Sequence, residues 1–395
     1  MRWAFAFVMM MTSLRVARPL FLPSHLCARR AVGVKSRISL ASSSSSSSSS
    51  EPSADVASTP YATEYHAPVM IKEIIEQLDR LASSEAPLTR VVDLTCGGGG
   101  HSEAFLAYLQ NAGLDGVEVI GVDRDSDSKE EASQRLKTFP NFRHCLKNFG
   151  DLTPEDLGGE VDFVLGDLGV SSHQIDDPAR GFRYGGNVEG GVAGPLDMRM
   201  GKSGISAADV INDYPEEALL KILVDYGGEK YMSAKRIVAE IVRSRPMTRT
   251  DELAAAIERV TPKWSKNSPR KGALKTKARV FQAVRVAVND EMGSLNRLFE
   301  KVLPSIVRKN GVCCILTYQS DEDAIVKAAF KSHHDVDGKI RVVKDREIGR
   351  DLYGNRVGPG EKIWDVISKG KKASADEMKK NNRARSARLR VAERA

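Results

Sequence analysis

Four consecutive glycines, Gly97 to Gly100, separate the apolar run "RVVDL" (90–94) from a helix-like stretch. Bare backbone there lets a ligand lie almost on the main chain, because a Cβ would hold the ligand off and would penalise positive φ. NAD, FAD and S-adenosyl-L-methionine (SAM) sites all use such a turn, so the loop alone leaves the ligand open. Asp123 ends the next β-rich run, where a carboxylate can accept from both hydroxyls of a ribose or can simply cap the following turn. Asp167 ends "DFVLGD", just ahead of the tight polar turn "LGVSSHQ". An acceptor side chain and backbone carbonyls at such a place can orient an exocyclic NH2. Its lone pair, otherwise delocalised into a ring, then points at a methyl donor. Asp167, Leu168 and Ser171 are the residues so placed, with turn capping as the plain alternative for Asp167. The dinucleotide fingerprint G-x-G-x-x-G fails, since counted from Gly97 or Gly98 its third position is Ser102 or Glu103.

The elements around these residues alternate. Met70, Ile74, Leu78 and Leu81 keep one helical face. "RVVDL", "VEVIGV" (117–122), "FRHC" and "VDFVLGDLG" read as strands, with helices over 102–113 and 126–138 between them, and "VCCILTY" as a further buried strand. That succession predicts an α/β fold, a mostly parallel sheet with helices on both faces. After about Arg180 a Gly-rich stretch leads into helices with no strands between. Pro215-Glu216-Glu217 suits a first turn, Ala234, Ile237, Val238, Ile241 and Val242 form one stripe, and Thr248 to Asp251 fits a capping box. An all-helical block is therefore expected as an insertion into the sheet domain.

The net charge of +7 is unevenly spread. Residues 1–50 carry seven basic residues and no acid, leaving 52 basic and 52 acidic residues in the rest. The leader ends in nine serines, Ser42 to Ser50, and reads as an organelle transit peptide. It serves mitochondrion and chloroplast alike, with the spread of Arg favouring the mitochondrion. Pro262 to Arg285 holds eight basic residues and no acid, and residues 369–395 hold ten against three, which points to a polyanion partner. The five cysteines show neither CxxC nor Cys/His ligand spacing, so they read as reduced thiols and no metal site is expected. No apolar run approaches the ~18 to 20 residues of a membrane span.

Seven stretches carry a resemblance: "DLTCGGGGHS", "GVDRD", "DLGVSSHQIDDPARGF", "GPLDMRM", "RPMTRTDEL", "RVFQAVRVAVNDE" and "NNRARSARLRVAER". In this order they resemble the motifs of the bacterial small-subunit rRNA cytosine-N4 methyltransferases (the MraW or RsmH type), from about His66 to Arg394. The resemblance implies a class I SAM-dependent methyltransferase, Rossmann-like, with a helical insertion. It also implies methylation of the exocyclic nitrogen of a cytidine in the decoding region of small-subunit (16S-like) rRNA. Matched position by position, Gly99, Gly100 and His101 fall on the cofactor loop, Asp123 on the ribose-binding acid, Phe149 beside the adenine, and Asp167 and Gln174 on the remaining SAM contacts. Three departures stand out. "TYQSDED" (317–323) replaces the usual "SFHSLED", and Gln319 cannot act as a base. "NNRARSARLR" replaces "NPRARSAKLR", and "GGNVEGGVA" lengthens the segment before "GPLDMRM".

The expected organisation is a transit peptide and Ser-rich linker (1–60), a first part of the core (61–180), a Gly-rich loop and helical insertion (181–275), a second part of the core (276–368) and a basic C-terminal tail (369–395). The partner expected is small-subunit rRNA or the small ribosomal subunit particle, with no membrane. Its phosphates would meet Lys275, Lys277 and Arg279, and Arg383, Arg385 and Arg388 in the tail. Two rivals frame this reading: an NAD-dependent dehydrogenase, opposed by the failed fingerprint, and a catalytically idle rRNA-binding assembly factor of the same fold. Turnover separates the second from an enzyme.

Overall fold

The computed structural model describes residues 68–183, 193–261, 269–334, 340–342, 349–350, 356–357 and 361–395. The leader, the inserted "GGNVEGGVA" apart from Ala193, and the first part of the 262–285 basic stretch lie outside the described residues.

Five strands run parallel: β1 (Arg90–Asp93), β2 (Glu118–Asp123), β3 (Phe142–Leu146), β4 (Val161–Asp167) and β5 (Val307–Thr317). Two short antiparallel pairs follow, β6 (Ser332–His334) with β7 (Ile340–Val342), and β8 (Gly349–Arg350) with β9 (Arg356–Val357). The chain then returns to the main sheet as β10 (Trp364–Lys372) and β11 (Arg388–Arg394). The seven-stranded order is β10-β11-β5-β4-β1-β2-β3, with β11 antiparallel to both its neighbours. The strand order reverses between β1 and β4, the place where open α/β sheets bind ligands.

Alternation along the strands separates two cores. Val91, Phe163 and Leu165 face the layer of α1 (Ile71–Ala82) and α2 (Gly100–Asn111). Val92, Ile120 and Val164 face the other layer, which holds α10 (Glu291–Arg297), α11 (Leu303–Ile306) and α12 (Ser320–Ala329). The neighbours Cys313 and Cys314 point to opposite layers, each fully buried, and burial pushes both thiols up. They are core residues. Helix α3 (Ser126–Arg135), starting from an Asp125 cap, crosses from β2 towards β3.

The insertion has its own core, built by α5 (Ala207–Asp213), α6 (Glu216–Asp225), α7 (Tyr231–Arg243), α8 (Thr250–Val260) and the long α9 (Pro269–Asn289). The short α4 (Ser172–Asp176) precedes it. The expected boundary at residue 276 falls inside α9, whose Val280, Phe281 and Val284 pack on the insertion. At α8 the capping acid is Glu252 and not Asp251. Its carboxylate accepts the Thr248 and Arg249 N–H groups at 2.7 and 2.9 Å, because the helix starts at Thr250.

The largest difference from expectation lies at the C-terminus. Residues 369–395, expected as a basic tail, contain the last turns of β10, α13 (Ala375–Lys380) and all of β11. Leu389, Val391 and Ala392 are buried between β5 and β10. Alternating charge hides this strand in the sequence: Arg388, Arg390 and Arg394 lie between its apolar residues, and Arg390 is neutralised by Asp323 at 2.7 Å.

Candidate functional site

Register alone brings the chemistry-bearing residues together. Asp93 pairs with Leu165 of β4 and with Gly121 of β2, so Thr95, Asp123 and Asp167 meet just beyond the carboxyl edge. The Asp167 N–H donates to Thr95 Oγ1 at 2.7 Å. Asp167 itself pairs with Leu316 of β5, which places Tyr318 beside it. The glycine loop then turns into α2 through Gly99, whose φ of 82° is the left-handed conformation that favours glycine. At Gly98 a Cβ would come within 2.5 Å of the Glu131 carboxylate on α3, which would have to move aside.

Thr95, Gly98, Asp123, Asp167 and Tyr318 line one cavity of about 370 Å³. Its cofactor half contains Gly97, Gly98, Gly100, Asp123, Phe149 and Gln174. Asp123 accepts the N–H of Gly97 and of Asp125, both at 2.9 Å, which fixes its carboxylate against the loop. Burial raises its proton affinity, and those N–H groups oppose the rise. Phe149 opens a short 3-10 turn and packs on the sheet core. Gln174 is placed differently from a free ligand-facing amide. Its Oε1 accepts the Ser171 N–H at 3.1 Å, and its Nε2 donates to Asp125 at 3.0 Å and to the Met200 carbonyl at 3.4 Å. Ser171 caps α4 in return, accepting the Gln174 N–H at 3.2 Å. Ser171 and Gln174 therefore hold the wall of the cavity in place.

The other half gathers Asp167, Leu168, Tyr318, Gln319, Arg285 and Arg383. Tyr318 Oη donates to Asp167 Oδ1 at 2.7 Å, while His101 Nδ1 lies 3.9 Å from Asp167 Oδ2. His101 is buried, and its Nε2 meets the Val69 carbonyl at 3.1 Å, tying the segment before α1 to the site. Burial pushes the Asp167 carboxyl up, and His101, Tyr318 and Arg383 oppose it. Asp93, fully buried beneath, is raised by burial as well and is held by Ser102 Oγ at 2.8 Å. Gln319 Oε1 accepts from Gln282, so its amide is a donor and acceptor and no base.

Several positioning residues escape a reading of motifs. Arg180 binds Asp125 at 2.9 Å and the Met200 carbonyl at 2.8 Å. Asn289 bonds both sides of Arg199: its Oδ1 accepts the Met200 N–H and its Nδ2 donates to the Met198 carbonyl, each at 2.7 Å. Arg285 and Glu291 form a nearly buried pair at 2.7 Å in the cavity wall. Tyr318 had one available signal: it directly follows β5, as Asp167 ends β4.

The expected phosphate ligands separate. Lys275, Arg383 and Arg385 are exposed, and Arg383 stands at the cavity mouth. Lys277 is turned inward instead, while Arg279 stays part-exposed but carries a carboxylate partner. Lys277 is buried with its Nζ 2.8 Å from Glu258, and Arg279 pairs with Glu229 at 2.5 Å, because α9 lays this face on the insertion. Arg388 leans towards Asp323 at 3.7 Å. Among the described residues no group of three metal-ligating side chains occurs, and no helix is long and apolar enough to cross a membrane.

A glycine turn after β1, a carboxylate ending β2 and an acceptor ending β4 at the reversal of strand order form the site of a class I SAM-dependent methyltransferase. Gly97, Gly98, Gly100, Asp123 and Phe149 line the cavity and suit the methionine, ribose and adenine parts of SAM, whereas Gly99, expected on the cofactor loop, faces Leu136 and Ala132 instead. The chain belongs to the MraW methylase family, whose model matches residues 63–395. Similar proteins include the ribosomal RNA small subunit methyltransferase H of Cytophaga hutchinsonii, 38% identical over 84% of this chain and 99% of its own. The protein of that name from Chlorobium chlorochromatii is 37% identical over 83% of this chain and 96% of its own. Among solved structures, an rRNA methylase from Streptococcus thermophilus covers 82% of this chain and 98% of its own at 12% identity and a TM-score of 0.33, a likeness too loose to bear on function.

Proposed function

We propose that this methyltransferase transfers a methyl group from SAM to the exocyclic N4 of a cytidine in the decoding region of small-subunit rRNA, in an organelle that has its own ribosomes. The observation that carries this is Asp167, an acceptor at the end of β4 that lines the same cavity as the glycine loop and Asp123. The printed names of the relatives support the rRNA substrate, and the acid-free leader supports the organelle, with the mitochondrion favoured over the chloroplast.

SAM, when bound, supplies the methyl as an electrophile on a sulfonium that loses its charge during transfer. The protein aligns the nucleophile with it, and such positioning supplies roughly 7 to 11 kcal/mol of a barrier. Asp167, with the backbone carbonyls of Leu168 to Val170, accepts the amino hydrogens and turns the nitrogen lone pair towards the methyl. The amine becomes strongly acidic only as the new bond forms, so water suffices as the final proton acceptor. A cytidine in folded rRNA must leave its stack, at a cost of a few kcal/mol. Phosphate contacts from Arg383, Arg385 and Lys275 offset it.

The test is turnover. Purified protein, SAM and small-subunit rRNA or subunit particles should yield N4-methylcytidine by nucleoside mass spectrometry, and methylation at another base would refute the assignment.

A further inference from the structure

Helix α7 turns an uncompensated face to solvent. Ala234, Ile237, Val238 and Ile241 bury its other side in the insertion. Tyr231, Met232, Lys235, Arg236, Ala239 and Arg243 are exposed. Met232 and Tyr231, at 66% and 58%, are the most exposed large apolar side chains among the described residues. The one acid of the helix, Glu240, is buried and bridged by Arg243 and Arg259, and Glu229 ahead of it is buried against Arg279. Asp225, which ends α6, is the one exposed acid between there and α7. Among the described residues, Lys230, Lys235 and Arg236 have no carboxylate partner. Lys235 and Arg236 follow Tyr231 and Met232 by one turn, and Arg236 Nε donates back to the Met232 carbonyl at 3.3 Å. Helical side chains lean towards the N-terminus, so the apolar pair and the charges share one surface.

We propose that this face is a second RNA contact, separate from Arg383 and Arg385: Tyr231 stacks on an unpaired base of the strand that carries the target, and Lys230, Lys235 and Arg236 hold its phosphates. The inference rests on the reading that RNA is the substrate. A ring beside flexible cations suits single-stranded RNA, whose bases offer open faces and whose backbone is negative throughout. Protein interfaces are depleted in lysine, which disfavours a protein as the occupant. The face is also fixed relative to the cavity. Glu229 pairs with Arg279 of α9 at 2.5 Å. Gly227 lies so close to that helix that a Cβ would come 3.1 Å from the Arg279 carbonyl and 3.2 Å from the Ala283 Cβ. Arg285, which lines the cavity, follows six residues later, about 9 Å along α9. Nucleotides flanking a cytidine drawn into the cavity are thus within reach of α7. A strand that gives up one base leaves its neighbours unstacked, and Tyr231 covers one of those faces.

The experiment measures binding of a small-subunit rRNA fragment spanning the target cytidine, by fluorescence anisotropy over a series of salt concentrations, with the full chain and SAM present. Tyr231→Ala should weaken binding roughly fivefold to hundredfold at an unchanged salt slope. Tyr231→Trp should restore it and Tyr231→Leu should not, because only a π face stacks on a base. Replacing Lys230, Lys235 and Arg236 together by Ala should reduce the slope of log affinity against log salt by about two. These side chains lie outside the core, so melting temperature and SAM affinity should keep their wild-type values. Wild-type affinity and slope in the variants overturn the inference. So does rescue by Leu, which indicates apolar burial without stacking. Variants that bind the fragment normally and lose only the assembled small subunit also overturn it, and make the face a docking surface for protein. Failure of the functional reading looks different. A wild type that binds the fragment without forming N4-methylcytidine, while the variants bind more weakly, refutes the reaction and keeps the surface.

Discussion

At the scale of single residues, the site trades stability for reactivity. Burial raises the proton affinity of Asp167 above the ordinary 3.8, and His101, Tyr318 and Arg383 oppose the rise. A raised folded value means that the folded state binds the proton more tightly than the unfolded one. The ionised group therefore costs stability above its folded value, and the cost disappears as pH falls to 3.8. Asp167→Asn should thus melt higher than wild type at neutral pH, with the gap closing on acidification, while turnover falls by at least tenfold at unchanged SAM affinity. Calorimetry across pH with parallel rate measurements checks both, and an Asn variant that turned over normally would remove Asp167 from the chemistry. The glycine loop, Asp123 and Asp167 could be read from residue types and from their place at strand ends. Asn289 could not, because its partners Met198 and Met200 lie some ninety residues off and only the packing of the insertion brings them close.

At the scale of elements, the connection from Leu196 to Met200 is built into the site through Asn289 at the end of α9. This side chain is buried and satisfies backbone groups on Met198 and Met200, so Asn289→Ala orphans both. A cost of about 1–3 kcal/mol per orphaned group is expected, measured by urea unfolding, together with weaker SAM binding because Met200 lines the cavity. Helix α9 also explains why two expected phosphate ligands are paired with carboxylates, Lys277 buried and Arg279 part-exposed. Composition marks the stretch as basic, but only packing decides that Lys277 and Arg279 face Glu258 and Glu229. Lys277→Ala should therefore lower stability and leave the salt dependence of RNA binding as it was. Arg383→Ala with Arg385→Ala should weaken RNA binding and reduce the slope of log affinity against log salt by about one per lost phosphate contact.

At the scale of the whole molecule, the C-terminal segment joins what the sequence presents as separate parts. The parallel strands and the helical insertion were legible from hydrophobic periodicity. The last strand was not, since its arginines masked the apolar alternation. Its place between β5 and β10 means that truncation before Arg388 removes a strand from inside the sheet and leaves β10 without a partner. The expected outcome is loss of cooperative folding by circular dichroism and calorimetry. A folded, SAM-binding protein that merely bound RNA less tightly would argue for a dispensable tail. The same segment reaches the cavity through Arg383 and Ser386, and Glu377 fixes the start of α1 by accepting the Met70 N–H at 2.5 Å. Fold completion and substrate contact are thereby coupled.

The central claim is methylation of a cytidine N4 in small-subunit rRNA. The most direct measurement is mass spectrometry of nucleosides from organellar small-subunit rRNA, with and without the gene for this chain. Loss of N4-methylcytidine, or of its doubly methylated ribose form, in one organelle is the predicted result and would identify the compartment. Unchanged levels in mitochondria and chloroplasts alike would contradict the account and leave an rRNA-binding protein that keeps a methyltransferase fold without the reaction.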